Sequence, residues 1–224
     1  MYHNFENLTE DKKQRILQTC IQEFAEKGYE KASTNTIIKD AEISKGILFH
    51  YFGSKKGLFL YVIEYCLQFF VSEYRKYPLQ KSGDIFDRIL ELGMIKLKIT
   101  HANPNISKLV LHAYMNTPED IRSEIHDKYT KLSNELLPTI FEDIDVSKFR
   151  NGVNPQKALE MVMLFLEALQ GKYTQEYYGR EQELLGDMDK IMEEYKEYIE
   201  VLKYGMYPVC ENNVSPVDIN PKTL

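Results

Sequence analysis

Over residues 9–205 the apolar residues of this chain recur at helical spacing, with no alternating runs of Val, Ile and Thr and no hairpin turn between such runs. The pattern predicts an all-α fold. Thr9 stands where an N-cap belongs, with Glu10 and Asp11 placed to offset the positive end of the helix dipole. Gly28 stops the helix that follows. Its stripe is Ile16, Leu17, Cys20, Ile21, Phe24 and Ala25. Ser33, Ser44 and Ser54 are then placed to cap helices over 34–41, 45–51 and 55–77, the last ended by Pro78 and the polar residues 80–83. Ser82 opens a helix to residue 101 that is apolar on most of its circumference and so belongs at the centre. Further helices are expected over 106–115, from Thr117-Pro118 onward with a kink or split at Pro138, from Asn154-Pro155 to 178, and over 184–205.

The spacing therefore predicts about nine helices in two parts. A three-helix helix-turn-helix domain covers 8–54 and a larger helical bundle covers 55–210, followed by a tail over 211–224. Residues 33–58 carry the function. Two short helices are joined by a tight turn at Ala41-Glu42-Ile43, and a break at Gly53 leads into a longer helix. In such a pair the second helix enters the major groove of DNA. That helix begins Ser44-Lys45-Gly46, and the glycine allows close approach to a duplex. Leu48 and Phe52, four apart, face inward with Ile37 and Ala41, which leaves Lys45, Ile47, Phe49 and His50 outward. The chain carries a net charge of -6, a poor match to a generic nucleic-acid binder. Yet residues 43–57 hold Lys45, Lys55 and Lys56 and no acid, so a basic patch sits on an acidic body.

SKGILFHYFGSKKGLF resembles the signature of the TetR family of bacterial regulators, and the segment from Ile16-Leu17 through Phe24-Ala25-Glu26-Lys27-Gly28-Tyr29 resembles that family's first helix. The likeness covers about the first quarter of the chain. It implies a homodimer that binds a palindromic operator in double-stranded DNA and is released by a small effector. Most members are repressors, and the fourth helix links reading head to sensing body. Residue by residue, the resemblance implies that Ser33, Tyr51 and Lys55 touch phosphates. Lys45, Gly46 and Ile47 would lie at base edges behind the Ser44 cap, with Phe49 and His50 at the groove wall. Three residues depart from the family pattern. Glu42 stands where the turn usually has glycine, so a left-handed backbone there costs about 1 kcal/mol, or the turn differs. Phe49 replaces a common tyrosine and loses its hydroxyl. Ile47 replaces a small polar residue, which suits a thymine methyl.

The resemblance also implies dimerisation through the last two long helices. Residues 161–166 are apolar at every position and need partners on two sides, while Leu184, Met188, Ile191, Tyr195, Tyr198 and Leu202 form a seam close to a heptad. The competing reading is a single intramolecular core. Candidates for the effector pocket are Phe86, Leu90, Met94, Leu109, His112, Met115, Tyr129, Leu132 and Phe165. Their apolar character favours a lipophilic effector, although such a stripe at helical spacing is more often plain core.

Other functions lack a motif. No G-x-S-x-G, H-E-x-x-H or glycine-rich phosphate loop occurs, so no enzyme and no cofactor is expected. His101, His112 and His126 are not spaced to share one helical turn, which argues against a metal. Cys20, Cys66 and Cys210 have no metal-ligand spacing and suit reduced thiols in the cytoplasm. No signal-peptide pattern or membrane-length apolar run is present, so the three N-x-[ST] matches at Asn7, Asn105 and Asn213 carry no meaning. The reading is a ligand-responsive DNA-binding regulator. The rival is a helical small-molecule carrier without operator function, supported by Glu42 and the acidic net charge.

Overall fold

The computed structural model describes residues 3–77 and 83–206, and the described residues form helices without strands. Pro78, Gln80 and Ser82, Cys210 and the tail from Glu211 lie outside the described residues. The helices are α1 (His3–Glu6), α2 (Glu10–Lys31), α3 (Thr34–Asp40), α4 (Lys45–Phe52), α5 (Lys55–Arg75) and α6 (Ile85–Ala102). They continue with α7 (Pro104–Met115), α8 (Arg122–Phe141), α9 (Pro155–Glu176), α10 (Glu181–Gly186) and α11 (Met188–Met206). Among the described residues no helix is long and apolar enough to cross a membrane.

Local chemistry accounts for most of these boundaries. The hydroxyls of Ser33, Ser44 and Ser54 accept from the amides of Thr36, Ile47 and Gly57, as their positions predict. Asn154 caps α9 through Lys157 N, with Pro155 in the first turn. Gly28 breaks α2 at φ 69, and α7 packs so close there that an added Cβ would lie 2.5 Å from His112 Nε2.

Five features differ from expectation. A short helix, α1, precedes Thr9 and places Phe5 fully inside the head. Thr9 makes no side-chain cap bond. Thr117 caps nothing either. Its buried hydroxyl donates to Ala113 O and closes the end of α7, so α8 begins only after a 3-10 turn at Glu119–Ile121. Pro138 neither splits nor ends α8, which runs on through it to Phe141. The last helix is broken at Asp187, whose carboxylate accepts from the Tyr177 hydroxyl at 2.8 Å. The Asn151-Gly152 step turns the chain within the loop before α9, with Gly152 at φ 86.

One apolar core joins α1–α5 to the ends of α7 and α8. It includes Phe24, Leu48, Phe52 and Phe59 from the head, and Leu109, Ala113, Ile121 and Ile125 from the body. The boundary expected at residue 54 is thus not a boundary in packing. A second core gathers Ile85, Phe86 and Ile89 of α6 with Ala158 and Val162 of α9 and Ile199 of α11. Helix α6 is central as predicted, and its Gly93 lets α11 close in, since a Cβ there would lie 2.9 Å from Met192 Cε.

Candidate nucleic-acid interface

Helix α4 owes its orientation to two inward side chains. Leu48 and Phe52 are buried beside Ile37 and Ala41. The Phe52 ring packs 4.9 Å from Phe5 and 5.3 Å from Tyr61, centroid to centroid. With that face anchored, Ser44, Lys45, Gly46, Ile47 and His50 are exposed, while Phe49 and Tyr51 are half-buried. Lys45, Ile47 and His50 are outward as the helical spacing predicts, whereas Phe49 is partly covered. Gly53 at φ 74 ends the helix and lets α5 depart sharply.

The caps leave donors available. Ser33 and Ser44 use their oxygens as acceptors for backbone amides, so each hydroxyl hydrogen can still be given to a phosphate. Ser33 is itself pinned, its amide donating at 2.7 Å to the buried Glu23 carboxylate. Glu42 sits at φ 53, so the turn keeps its left-handed residue without glycine. Its carboxylate takes Arg15 at 3.1 Å, an exposed pair worth at most about 1 kcal/mol.

The three lysines have different situations. Lys45 is exposed and has no partner among the described residues. Lys55 instead donates to Glu30 O at 2.8 Å and lies 5.3 Å from the Tyr29 ring centroid. Lys56 reaches Asp120 O at 2.9 Å and Glu124 at 2.6 Å, and the hydrogen bond it donates to Glu124 holds its ammonium above the ordinary lysine range. Hence two of the three cations tie the first turn of α5 to the end of α2 and the start of α8. Lys55 retains protons for a phosphate, but its charge is already shared. Sequence reasoning missed Asn4, whose amide nitrogen lies 2.9 Å from His50 Nε2 at the edge of the outward face. The signal was Phe5, an apolar ring in the mostly polar stretch before Thr9.

The nine residues proposed for an effector pocket do not line one cavity. Phe86, Leu90 and Phe165 belong to the second core, and Leu109, Tyr129 and Leu132 to the first. The Tyr129 hydroxyl donates to Val110 O, and burial pushes its pKa up. Met94 is 45% exposed. His112 and Met115 border a cleft of about 590 Å³ between the end of α2 and α7. His112 also lies against Gly28 and 4.0 Å from Glu181. His101 faces Asp189 at 3.5 Å, and His126 is exposed. Cys20 and Cys66 are buried, and burial pushes both thiols up to about 12.

The seam expected at the dimer contact partly faces inward. Tyr195 and Leu202 pack on the second core, and Tyr198 stacks edge-on against Phe165. The uncovered apolar residues are Met161 and Leu164 on α9, and Val201 and Tyr204 on α11. Lys172–Glu194 and Phe165–Tyr198 set an antiparallel register that brings both exposed pairs to the same end.

Residues 16–62 match the family model described as bacterial regulatory proteins, tetR family. Residues 83–207, more than half of the chain, match the model described as tetracyclin repressor-like, C-terminal domain. IcaR of Staphylococcus aureus, a biofilm operon HTH-type negative transcriptional regulator, is 24% identical over 170 residues, covering 74% of this chain and 87% of that protein. Among solved structures, GusR of Salmonella enterica superposes with a TM-score of 0.59 at 20% identity, over 87% of this chain and 97% of that one. FadR of Bacillus subtilis in complex with stearoyl-CoA gives a TM-score of 0.58 at 16% identity, over 87% and 99%. The structural likenesses speak to the fold, and the two family models, covering head and body in order, speak to descent. The chain belongs to the TetR family of bacterial regulatory proteins and is a helix-turn-helix transcription regulator.

Proposed function

We propose that this protein is a repressor that binds a palindromic operator as a homodimer in the cytoplasm and is released by a small, mostly apolar effector. The observation that carries the reading is the outward face of α4. Lys45, Gly46 and Ile47 are exposed together on a helix whose rotation Leu48 and Phe52 lock. In this reading Lys45, Gly46 and Ile47 meet base edges, and Ser33, Ser44, Tyr51 and Lys55 hold phosphates. Phe49 and His50 border the groove. The head spans 8–54, with α1 packed on it, and the sensing and dimerisation body spans 55–210. The apolar patch on α9 and α11 supports a twofold contact, which would set two recognition helices about one turn of DNA apart. Repression agrees with the name of IcaR, a negative regulator, and effector response with the ligand bound to FadR. An effector that prefers the non-binding state shifts the population away from DNA.

Selection of bound duplexes from a random library at two salt concentrations tests the reading. An enriched palindrome is expected. Weak binding that vanishes with salt and enriches nothing would instead favour a carrier without operator function. With the selected operator in hand, Lys45→Ala should change sequence preference. Uniform weakening at every site would remove Lys45 from the base edges.

A further inference from the structure

Helix α1 carries a polar group to the rim of the recognition helix and holds it there. Phe5 is fully buried, with its ring 4.9 Å from Phe52, 5.6 Å from Tyr51 and 5.3 Å from Tyr61, centroid to centroid. Beside it, Glu6 accepts the Tyr61 hydroxyl and lies 3.5 Å from the Lys13 ammonium. These contacts fix α1 against α4 and α5. The residue before Phe5 is Asn4, exposed, with its amide nitrogen 2.9 Å from Nε2 of the exposed His50. An amide nitrogen donates and does not accept, so Nε2 is the acceptor and the neutral ring carries its proton on Nδ1. A free neutral histidine mostly carries it on Nε2, so Asn4 selects the less common form. The Tyr51 ring packs against the imidazole at 5.9 Å, and Nδ1 makes no hydrogen bond among the described residues. Its proton is therefore available to a partner outside the chain.

We propose that Asn4 is a positioning residue of the DNA interface: it holds His50 in the Nδ1–H form, and that N–H donates to a phosphate at the groove wall. A phosphate is the partner, and not a base, because His50 stands near the end of α4, beside Tyr51 and away from Lys45 and Gly46 in the first turn. The bond is to a charged acceptor and so is stronger than a neutral one. With tautomer and ring orientation chosen before DNA arrives, less freedom is lost on docking. The inference rests on the operator-binding reading and adds to it a residue outside the helix-turn-helix.

The test joins ring NMR on the full chain to operator affinity. Two-bond proton–nitrogen correlation above the ordinary imidazole range shows which nitrogen carries the proton, and His50→Ala assigns the signal. Wild type should show Nδ1–H, and Asn4→Ala should return most of the ring to Nε2–H. Against a duplex selected from the random library, His50→Ala should weaken binding about ten-fold at every sequence. The salt slope should not change, since a neutral donor releases no counterion. Asn4→Ala should weaken binding about three- to ten-fold, the cost of choosing tautomer and rotamer anew, and nothing further in the His50→Ala background. A wild-type proton on Nε2, additive losses in the double variant, or a slope reduced by about one in His50→Ala would each overturn the proposal. The ring measurement needs only wild-type protein to overturn it, so poor folding of a variant leaves the test standing. Failure to select any duplex would sink the operator reading itself, a result separate from the ring's tautomer in the free protein.

Discussion

In the reading head Phe5, Phe24, Phe52 and Phe59 are at most 1% exposed, while on the outer helices Met161, Leu164, Val201 and Tyr204 are 55%, 64%, 71% and 62% exposed. Both regions are written in the same helical periodicity. In the head, α1 to α5 close on one another and on α7, so their large apolar side chains find partners within the chain, with Ile47 on α4 left exposed. On α9 and α11 one face packs on α6, and Met161, Leu164, Val201 and Tyr204 are left uncovered by the described residues. The difference shows that amphipathic spacing states a need for burial without saying who supplies it. A head that must hold its recognition helix in one orientation benefits from partners supplied internally. In the proposed dimer, an outer pair that joins two heads has reason to leave its patch open for a second copy.

The sharpest way to break the comparison is the double substitution Leu164→Glu with Val201→Glu. Charge on a twofold patch faces its own copy, so sedimentation velocity should show a monomer and affinity for a palindromic operator should collapse. A dimer that persists would place the contact elsewhere. Next in size, Phe52→Ala should cost about 3–5 kcal/mol in urea denaturation, because a fully packed ring leaves a cavity. In the monomeric double variant, Met161→Ala should cost about 0.5 kcal/mol or less, since its side chain is already in water. Equal costs at the two sites would erase the contrast.

An intermediate effect is expected at Asp84, a buried carboxylate that caps α6 through the amides of Phe86 and Asp87 and takes Lys203 at 3.1 Å. Burial pushes its pKa up, but the Lys203 and amide hydrogen bonds outweigh burial and hold it below the ordinary value. A depressed folded pKa means the stabilisation is present above the ordinary carboxylate range and is lost as pH falls through the folded value. Asp84→Ala should therefore cost about 1–3 kcal/mol at neutral pH. The gap to wild type should shrink below the ordinary carboxylate range in acid-to-neutral denaturation series. A gap that ignores pH would show that packing and not charge holds the cap. The smallest effect belongs to Glu42→Gly. Relief of the left-handed backbone is worth about 1 kcal/mol, offset by the lost Arg15 pair and by a freer unfolded chain. Thermal unfolding should change little. A loss beyond about 1 kcal/mol would show that the Arg15 contact holds the turn.

Much of the head was legible because its signals are local. Ser33, Ser44 and Ser54 each cap an amide three residues on, and Leu48 and Phe52 share a face by spacing alone. The candidate reading surface of α4 follows from that spacing. The lysines were less legible. Composition groups Lys45, Lys55 and Lys56 as one patch, but Lys55 is tied to a carbonyl 25 residues away and Lys56 to one 64 residues away. Nor could spacing sort the effector candidates, because a core position and a pocket wall present the same apolar side chain.

By itself the sequence determined an all-helical chain, the starts of α2 to α5 and of α9, and the inward face of the recognition helix. These depend on bonds and side-chain directions within a turn or two of the residue concerned. Only the tertiary structure decided that Phe5 completes the head, that α11 begins after a break at Asp187, and that Val201 and Tyr204 are left uncovered. Each of these turns on which distant helix arrives against a given face. A period of 3.6 residues carries no record of that choice, because the same stripe is satisfied by its own chain, by a second copy or by a bound molecule.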